Sequence, residues 1–214
     1  KIRFPKKYTM AKFSWDRGTL VRTPPYYASP EAVKYNASES IYIGEGYTDT
    51  LTLKSLGYQA IGFDNAGSVR NTFEEIGEWL KKFESIIFVS DNDLAGQQSF
   101  KQCVEWANEQ EVPCYSGEFN PVCKDINEFN QKITLRCPVN VAAFAKLTEE
   151  ELKKPEMYRH INLLNPIDKE KIISNAGKVL GIKRREILDK LIASGRQRRT
   201  HTVGVDIPKG FDVV

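Results

Sequence analysis

The chain has 214 residues, 41% hydrophobic and 28% charged, with 31 Lys and Arg against 28 Asp and Glu for a formal charge of +3. That balance excludes a disordered polyelectrolyte and a fibrous repeat, and the length accommodates one or two domains with a buried core. No apolar run approaches the roughly 20 residues of a membrane span, and Lys1-Ile2-Arg3-Phe4-Pro5 lacks a signal-peptide core, so a soluble cytoplasmic or nucleoid-associated protein is expected.

Charge divides the chain in three. Residues 1–38 carry eight basic and two acidic side chains, residues 39–150 nine and 18, and residues 151–214 14 and eight. Pro24-Pro25 and Pro30 mark the first boundary, and the polar run 148–155 marks the second. An acidic centre between basic flanks suits a protein that holds cations at its middle and polyanions along its edges; solvated faces of mixed sign are the plainer alternative. The start at Lys1 and the end on Val213-Val214 read as a piece of a longer chain.

In chain order, Ile41-Tyr42-Ile43 is a strand, residues 48–56 a helix closed by Gly57, and residues 58–63 a second strand. Residues 71–82 place Phe73, Ile76 and Leu80 at helical spacing. Ile86-Ile87-Phe88-Val89 is an unbroken apolar run suited to a strand buried on both faces. Residues 95–110 carry Phe100, Cys103, Val104 and Ala107 on one stripe, and residues 112–115 form the next strand. Alternating strands and helices imply an α/β fold with a parallel sheet, whose sites lie at the carboxyl ends of the strands.

Acidic residues stand at those ends. Glu45 follows the first strand in Gly44-Glu45-Gly46, and Asp49 is one helical turn further on. Asp91 and Asp93 follow the buried run in Ser90-Asp91-Asn92-Asp93, and in extended backbone alternate residues face the same way. Crowded carboxylates raise one another's pKa unless a divalent cation neutralises them, and oxygen-only ligands suit Mg²⁺ or Mn²⁺. Taken singly, an Asp-x-Asp after a strand also reads as a turn and helix N-cap. Cys103, Cys114, Cys123 and Cys137 form no Cys-x-x-Cys pair, and His160 and His201 lie far apart, so no zinc is expected and the thiols read as structural.

Ile43-Gly44-Glu45-Gly46-Tyr47-Thr48-Asp49, followed by Val89-Ser90-Asp91-Asn92-Asp93-Leu94-Ala95-Gly96-Gln97, resembles the Toprim domain, the metal-binding domain shared by primases, topoisomerases and some nucleases. The form Glu-Gly-Tyr-x-Asp with Asp-x-Asp-x-Ala-Gly is similar to the DnaG-type and phage primase-helicase branch. The resemblance covers roughly residues 39–135. It implies a Rossmann-like Toprim sheet with flanking helices over residues 39–150, a basic N-terminal segment over 1–38 that ends a polymerase subdomain, and a helical region or linker over 151–214. It assigns Glu45 as catalytic acid or base and metal-organising carboxylate, Asp91 and Asp93 as the main metal ligands, and Asp49 and Asp125 as supporting acids. Asp125 lies in Lys124-Asp125-Ile126-Asn127-Glu128, which is similar to the third primase acidic motif with Asn127 in place of a second Asp; this leaves the number of metals open. The glycine-bearing loop 61–71, with Asn65, Gly67 and Ser68, reads either as a phosphate-approaching loop or as a turn.

The implied activity is primer synthesis on single-stranded DNA from NTPs, with Mg²⁺ or Mn²⁺ as cofactor and a replicative helicase as partner. The same carboxylates with water as nucleophile would make a nuclease, and an inherited fold without catalysis would make an adaptor for DNA or a helicase. Neither histidine is near the motifs, which favours transfer over hydrolysis. No Gly-x-x-x-x-Gly-Lys-[Ser/Thr] is present, so these residues are not an NTP-driven helicase motor. Arg22, Lys34, Arg70, Lys124, Arg196, Arg198 and Arg199 are the candidate nucleic-acid contacts. Residues 168–180 and 184–193 pattern as two amphipathic helices joined at Gly181, either a helix-turn-helix or an ordinary helical hairpin.

Overall fold

The computed structural model describes residues 35–63, 69–128 and 131–196, and before them the backbone of three two-residue strands, β1 (Ile2–Arg3), β2 (Phe13–Ser14) and β3 (Tyr26–Tyr27). β4 (Ile41–Gly44), β5 (Ala60–Phe63), β6 (Ile86–Val89) and β7 (Cys114–Glu118) run parallel, linked by α1 (Tyr47–Ser55), α2 (Val69–Leu80) and α3 (Leu94–Glu109). β8 (Leu135–Pro138) pairs antiparallel with β7, and β3 antiparallel with β5, giving the order β3-β5-β4-β6-β7-β8. The expected α/β architecture is present.

Alternation along the strands builds a core on each face of the sheet. Ile41, Ile43, Ile61, Phe63, Ile86 and Phe88 point toward α2 and α3, meeting Phe73, Leu80, Cys103 and Trp106. Tyr42, Ala60, Ile87 and Val89 point the other way, onto Leu53 of α1 and Phe119, Cys123 and Ile126. All four residues of β6 are buried, as its unbroken apolar run requires, and each large apolar side chain so buried contributes about 1.5–3 kcal/mol. Phe73 stacks on Trp106 with centroids 4.8 Å apart, which fastens α2 to α3. Helix α1 ends at Gly57, whose φ of +88° turns the chain back into β5.

After β8 come α4 (Val141–Phe144), α5 (Glu149–Leu152), two 3-10 turns (Pro155–Tyr158 and Ile161–Leu163), α6 (Pro166–Val179) and α7 (Arg185–Arg196). Phe144, Tyr158, Ile161, Ile172, Ile173 and Leu188 form a third core, against which Leu135 of β8 also packs. The helix α5 has a complete capping box between Thr148 and Glu151, and Asn165 caps α6 by accepting from the Asp168 amide at 2.9 Å. None of the helices in the described residues is long and apolar enough to cross a membrane.

Candidate metal centre

The carboxyl ends of β4 and β6 carry the acidic residues that the sequence singles out. The chain turns tightly after β4. A Cβ on Gly62 of the adjacent strand would stand against the Thr50 hydroxyl and only 2.8 Å from the Gly46 carbonyl, so β5 admits α1 only because that position has no side chain. This close approach sets Glu45 over the end of β6. Its Oε2 accepts from the Asp91 main-chain amide at 3.0 Å, and its Oε1 accepts from the Ser99 hydroxyl at 3.0 Å.

Asp93 is the N-cap of α3. Its backbone is extended and its Oδ1 accepts from the Gly96 amide at 3.0 Å, leaving Oδ2 3.5 Å from Lys124 Nζ. The capping role read from the spacing is therefore real, and it leaves the second carboxylate oxygen facing Lys124. Asp125 accepts from the amides of Asn127 (2.9 Å) and Glu128 (3.1 Å), which fixes its own loop. Asn92, between the two aspartates, clips that loop to the strand end. Its amide donates to the Lys124 carbonyl and its side chain to the Cys123 carbonyl, both at 2.7 Å. Asp49, 7% exposed, accepts from the Asn127 side-chain amide.

Electrostatics couples these groups. Burial pushes the Glu45 carboxyl up, opposed by its bonds to Asp91 and Ser99 and reinforced by the charges of Asp93 and Asp49. Burial also raises Asp49, against the Asn127 hydrogen bond and with the charge of Asp125. Asp91 is pushed up to about 8, first by burial and then by the charges of Asp49, Glu45, Asp125 and Asp93. The five acids therefore act on one another across a single mouth. An all-oxygen donor set whose negative charge is offset only in part by Lys124 fits Mg²⁺ or Mn²⁺, which Glu45, Asp91 and Asp93 would hold, with Asp125 and Asp49 beside them.

Ser99 and Asn92 are supporting groups that the sequence reading does not single out, and Asn127, noted there only as standing in place of a second Asp, is a third. The available signal for Ser99 was a polar side chain on the buried stripe of an amphipathic helix: it is wholly buried. Of the candidate nucleic-acid contacts, Lys124 stands at the rim of the acidic mouth, paired with Asp93. Arg70 is held on the outside of α2 by Glu74 (3.2 Å) and Glu109 (3.1 Å). Arg22, Lys34, Arg198, Arg199 and the Arg196 side chain lie outside the described residues, as do residues 64–68 of the glycine-bearing loop.

Residues 42–130 match the family described as Toprim-like. The chain carries a Toprim-like domain. Among solved structures it is similar to the primase fragment of the bacteriophage T7 primase-helicase protein, at 28% identity over 46% of this chain and 41% of that one, with a TM-score of 0.37. It is also similar to the E. coli primase catalytic core, at 17% identity over 82% of this chain and 63% of that one, with a TM-score of 0.48. A structure of the DnaG catalytic core matches at 17% identity over 80% and 62%, with a TM-score of 0.47. The chain thus spans less than two thirds of each of these structures. No curated protein sequence matches it.

Proposed function

We propose that this chain is the Toprim part of a DNA primase, which joins nucleotides into short primers on single-stranded DNA during replication. The observation that carries the reading is the convergence of Glu45, Asp49, Asp91, Asp93 and Asp125, with the Asp91 carboxyl raised to about 8 by its burial and its acidic neighbours. Such a group is neutralised either by a proton or by a divalent cation, and its motifs are those of the primase branch of the Toprim resemblance.

In this reading the ribose 3′-hydroxyl oxygen bonds to the α-phosphorus of an incoming nucleotide, the bond to pyrophosphate breaks, and the hydroxyl proton passes to Glu45. The raised pKa of Glu45 suits it to take that proton, and its bonds to Asp91 and Ser99 fix its orientation. Asp91 and Asp93 would hold the cation. A bound Mg²⁺ or Mn²⁺ neutralises charge on the reacting phosphates and lowers the hydroxyl pKa. Lys124 then turns from Asp93 toward the phosphates, and the basic flanks, with Arg22, Lys34, Arg196, Arg198 and Arg199, track the DNA backbone. The helical region after β8 is the part that faces a replicative helicase.

A template-dependent synthesis assay on single-stranded DNA tests this, with Mg²⁺ or Mn²⁺ against EDTA and wild type beside Glu45→Gln and Asp93→Asn. New oligonucleotides that vanish in EDTA and in both variants are expected. Synthesis retained in either variant rejects the site assignment. Shortened template in place of product identifies a nuclease, and DNA binding unchanged by EDTA with neither product identifies an adaptor.

A further inference from the structure

A second cluster of ligand-type side chains lies away from the acidic mouth, at the seam between the sheet and the C-terminal helices. Glu118 ends β7, Cys137 lies in β8 opposite Ser116, and His160 sits between the two 3-10 turns. Cys137 and His160 are buried and Glu118 is half-buried. One carboxylate oxygen, one thiol sulfur and one imidazole nitrogen here all lie within 4.8 Å of one another. Among the described residues this is the one cluster that mixes the three donor types.

We propose that Glu118, Cys137 and His160 form a site for Zn²⁺, or for a cation of the same borderline-soft class, that clamps β7 and β8 to the helical region. Sulfur and nitrogen donors select zinc over the Mg²⁺ that suits the acidic mouth. The orientation agrees. His160 Nε2 and Glu118 Oε1 face each other at 3.1 Å, close to the roughly 3.3 Å between nitrogen and oxygen ligands on a tetrahedral zinc with bonds of about 2 Å. Bringing the sulfur in from at most 4.8 Å needs a movement of about 1 Å.

The surroundings are those of a held ligand set. Glu118 gives its other oxygen, Oε2, to the Arg159 guanidinium, which orients the carboxylate from outside as partners of metal ligands do. The Phe100 ring packs edge-on against the imidazole, with centroids 5.4 Å apart. On binding, the Cys137 thiol releases its proton to solvent as the metal–sulfur bond forms, so affinity falls as pH falls. Three protein donors leave a fourth position for water.

The donors come from positions 118, 137 and 160, on three separate elements, which is why a search for closely spaced pairs finds no zinc site. Their union depends on the chain after β8 folding back over the sheet edge: the Cys137 thiol also meets the Glu156 carbonyl at 3.4 Å.

The test is equilibrium dialysis of the whole chain against Zn²⁺ with excess Mg²⁺, followed by metal analysis, for wild type, Cys137→Ser, His160→Gln and the double variant Glu45→Gln/Asp91→Asn. About one Zn²⁺ per chain is expected for wild type and for the double variant, and at least a tenfold weaker hold for Cys137→Ser and His160→Gln. Co²⁺ added to wild-type protein is expected to give a thiolate-to-metal charge-transfer band, a readout that does not depend on the variants folding. Zinc lost only in the double variant would place it at the acidic mouth and overturn the proposal. So would no bound zinc, or Co²⁺ bound without the charge-transfer band, which would leave Glu118, His160 and Arg159 as a metal-free ion-pair network.

Discussion

Asn127 donates its side-chain amide to the Asp49 carboxylate, while the Thr52 hydroxyl donates to the Asn127 carbonyl oxygen at 2.6 Å. The loop that carries Asp125 is thereby tied to α1, and a neutral amide stands where a further carboxylate would add to the charge of the mouth. Asn127→Ala should lower stability by about 1–3 kcal/mol, the cost of stripping a buried carboxylate of its partner. Asn127→Asp should cost more in EDTA and recover more on adding Mg²⁺, because it adds repulsion that a cation relieves. Urea unfolding of both variants with EDTA and with Mg²⁺ checks this, and an Asn127→Asp protein as stable as wild type in EDTA would count against the charge argument.

Asp91 sets a pH dependence with a definite sign. Its carboxyl ionises near 3.8 when unfolded and near 8 in the fold. A raised folded pKa means that the folded state binds the proton more tightly. The resulting stability is complete below the ordinary carboxylate range and drains away as pH rises toward about 8. Glu45 and Asp49, also raised, act in the same direction. Metal-free protein should therefore melt at progressively lower temperature across that window. Asp91→Asn should flatten the slope and raise the melting temperature at its alkaline end, and Mg²⁺ should flatten the slope in wild type alone. Melting curves against pH in EDTA that are level, or that rise, would refute the coupling.

The alternation of strand and helix was legible because β4 and β6 are short apolar runs buried on both faces, while α2 and α3 carry apolar stripes at a period of 3.6 that pack on the sheet. Edge strand β8 was not. Leu135-Arg136-Cys137-Pro138 has an exposed Arg136 and places Leu135 in the helical core, so no strand-length pattern survives. The short helix α5 rests on its cap, and the Thr148 to Glu151 spacing that carries it lies inside what reads as a polar boundary. At the mouth, Glu45, Asp91 and Asp93 are visible as strand-end acids. The clips that orient them, Asn127 to Asp49 and Ser99 to Glu45, join positions 78 and 54 residues apart, and no local pattern reports them.

Gly96 is a backbone requirement of the same mouth. A Cβ there would press on the Asp91 carbonyl oxygen and stand 2.8 Å from the Asp91 nitrogen. That nitrogen is the donor to Glu45, so the strain of Gly96→Ala falls on the link between the two motifs. A stability loss of about 1–3 kcal/mol is expected from the overpacking, together with a weaker response of the melting temperature to Mg²⁺ than wild type shows. An unchanged Mg²⁺ response would mean that the Asp91 loop moves aside without disturbing the carboxylates.

Tyr158 tests whether the helical region folds with the sheet. It is fully buried, its hydroxyl donates to the Leu152 carbonyl at 2.9 Å, and its ring lies 5.9 Å from that of Phe144. Leu135 of the sheet edge packs into the same core, and the next two residues, Arg159 and His160, both meet Glu118 at the end of β7. A defect at Tyr158 is therefore felt on both sides of the seam. Tyr158→Ala should cost about 3–5 kcal/mol and shift a single transition, seen alike by far-ultraviolet circular dichroism and by the fluorescence of Trp79 and Trp106, which pack against the sheet. If the circular dichroism midpoint falls while the tryptophan midpoint stays, the helices melt on their own, and the ion pairs at Glu118 do not couple them to the Toprim-like domain.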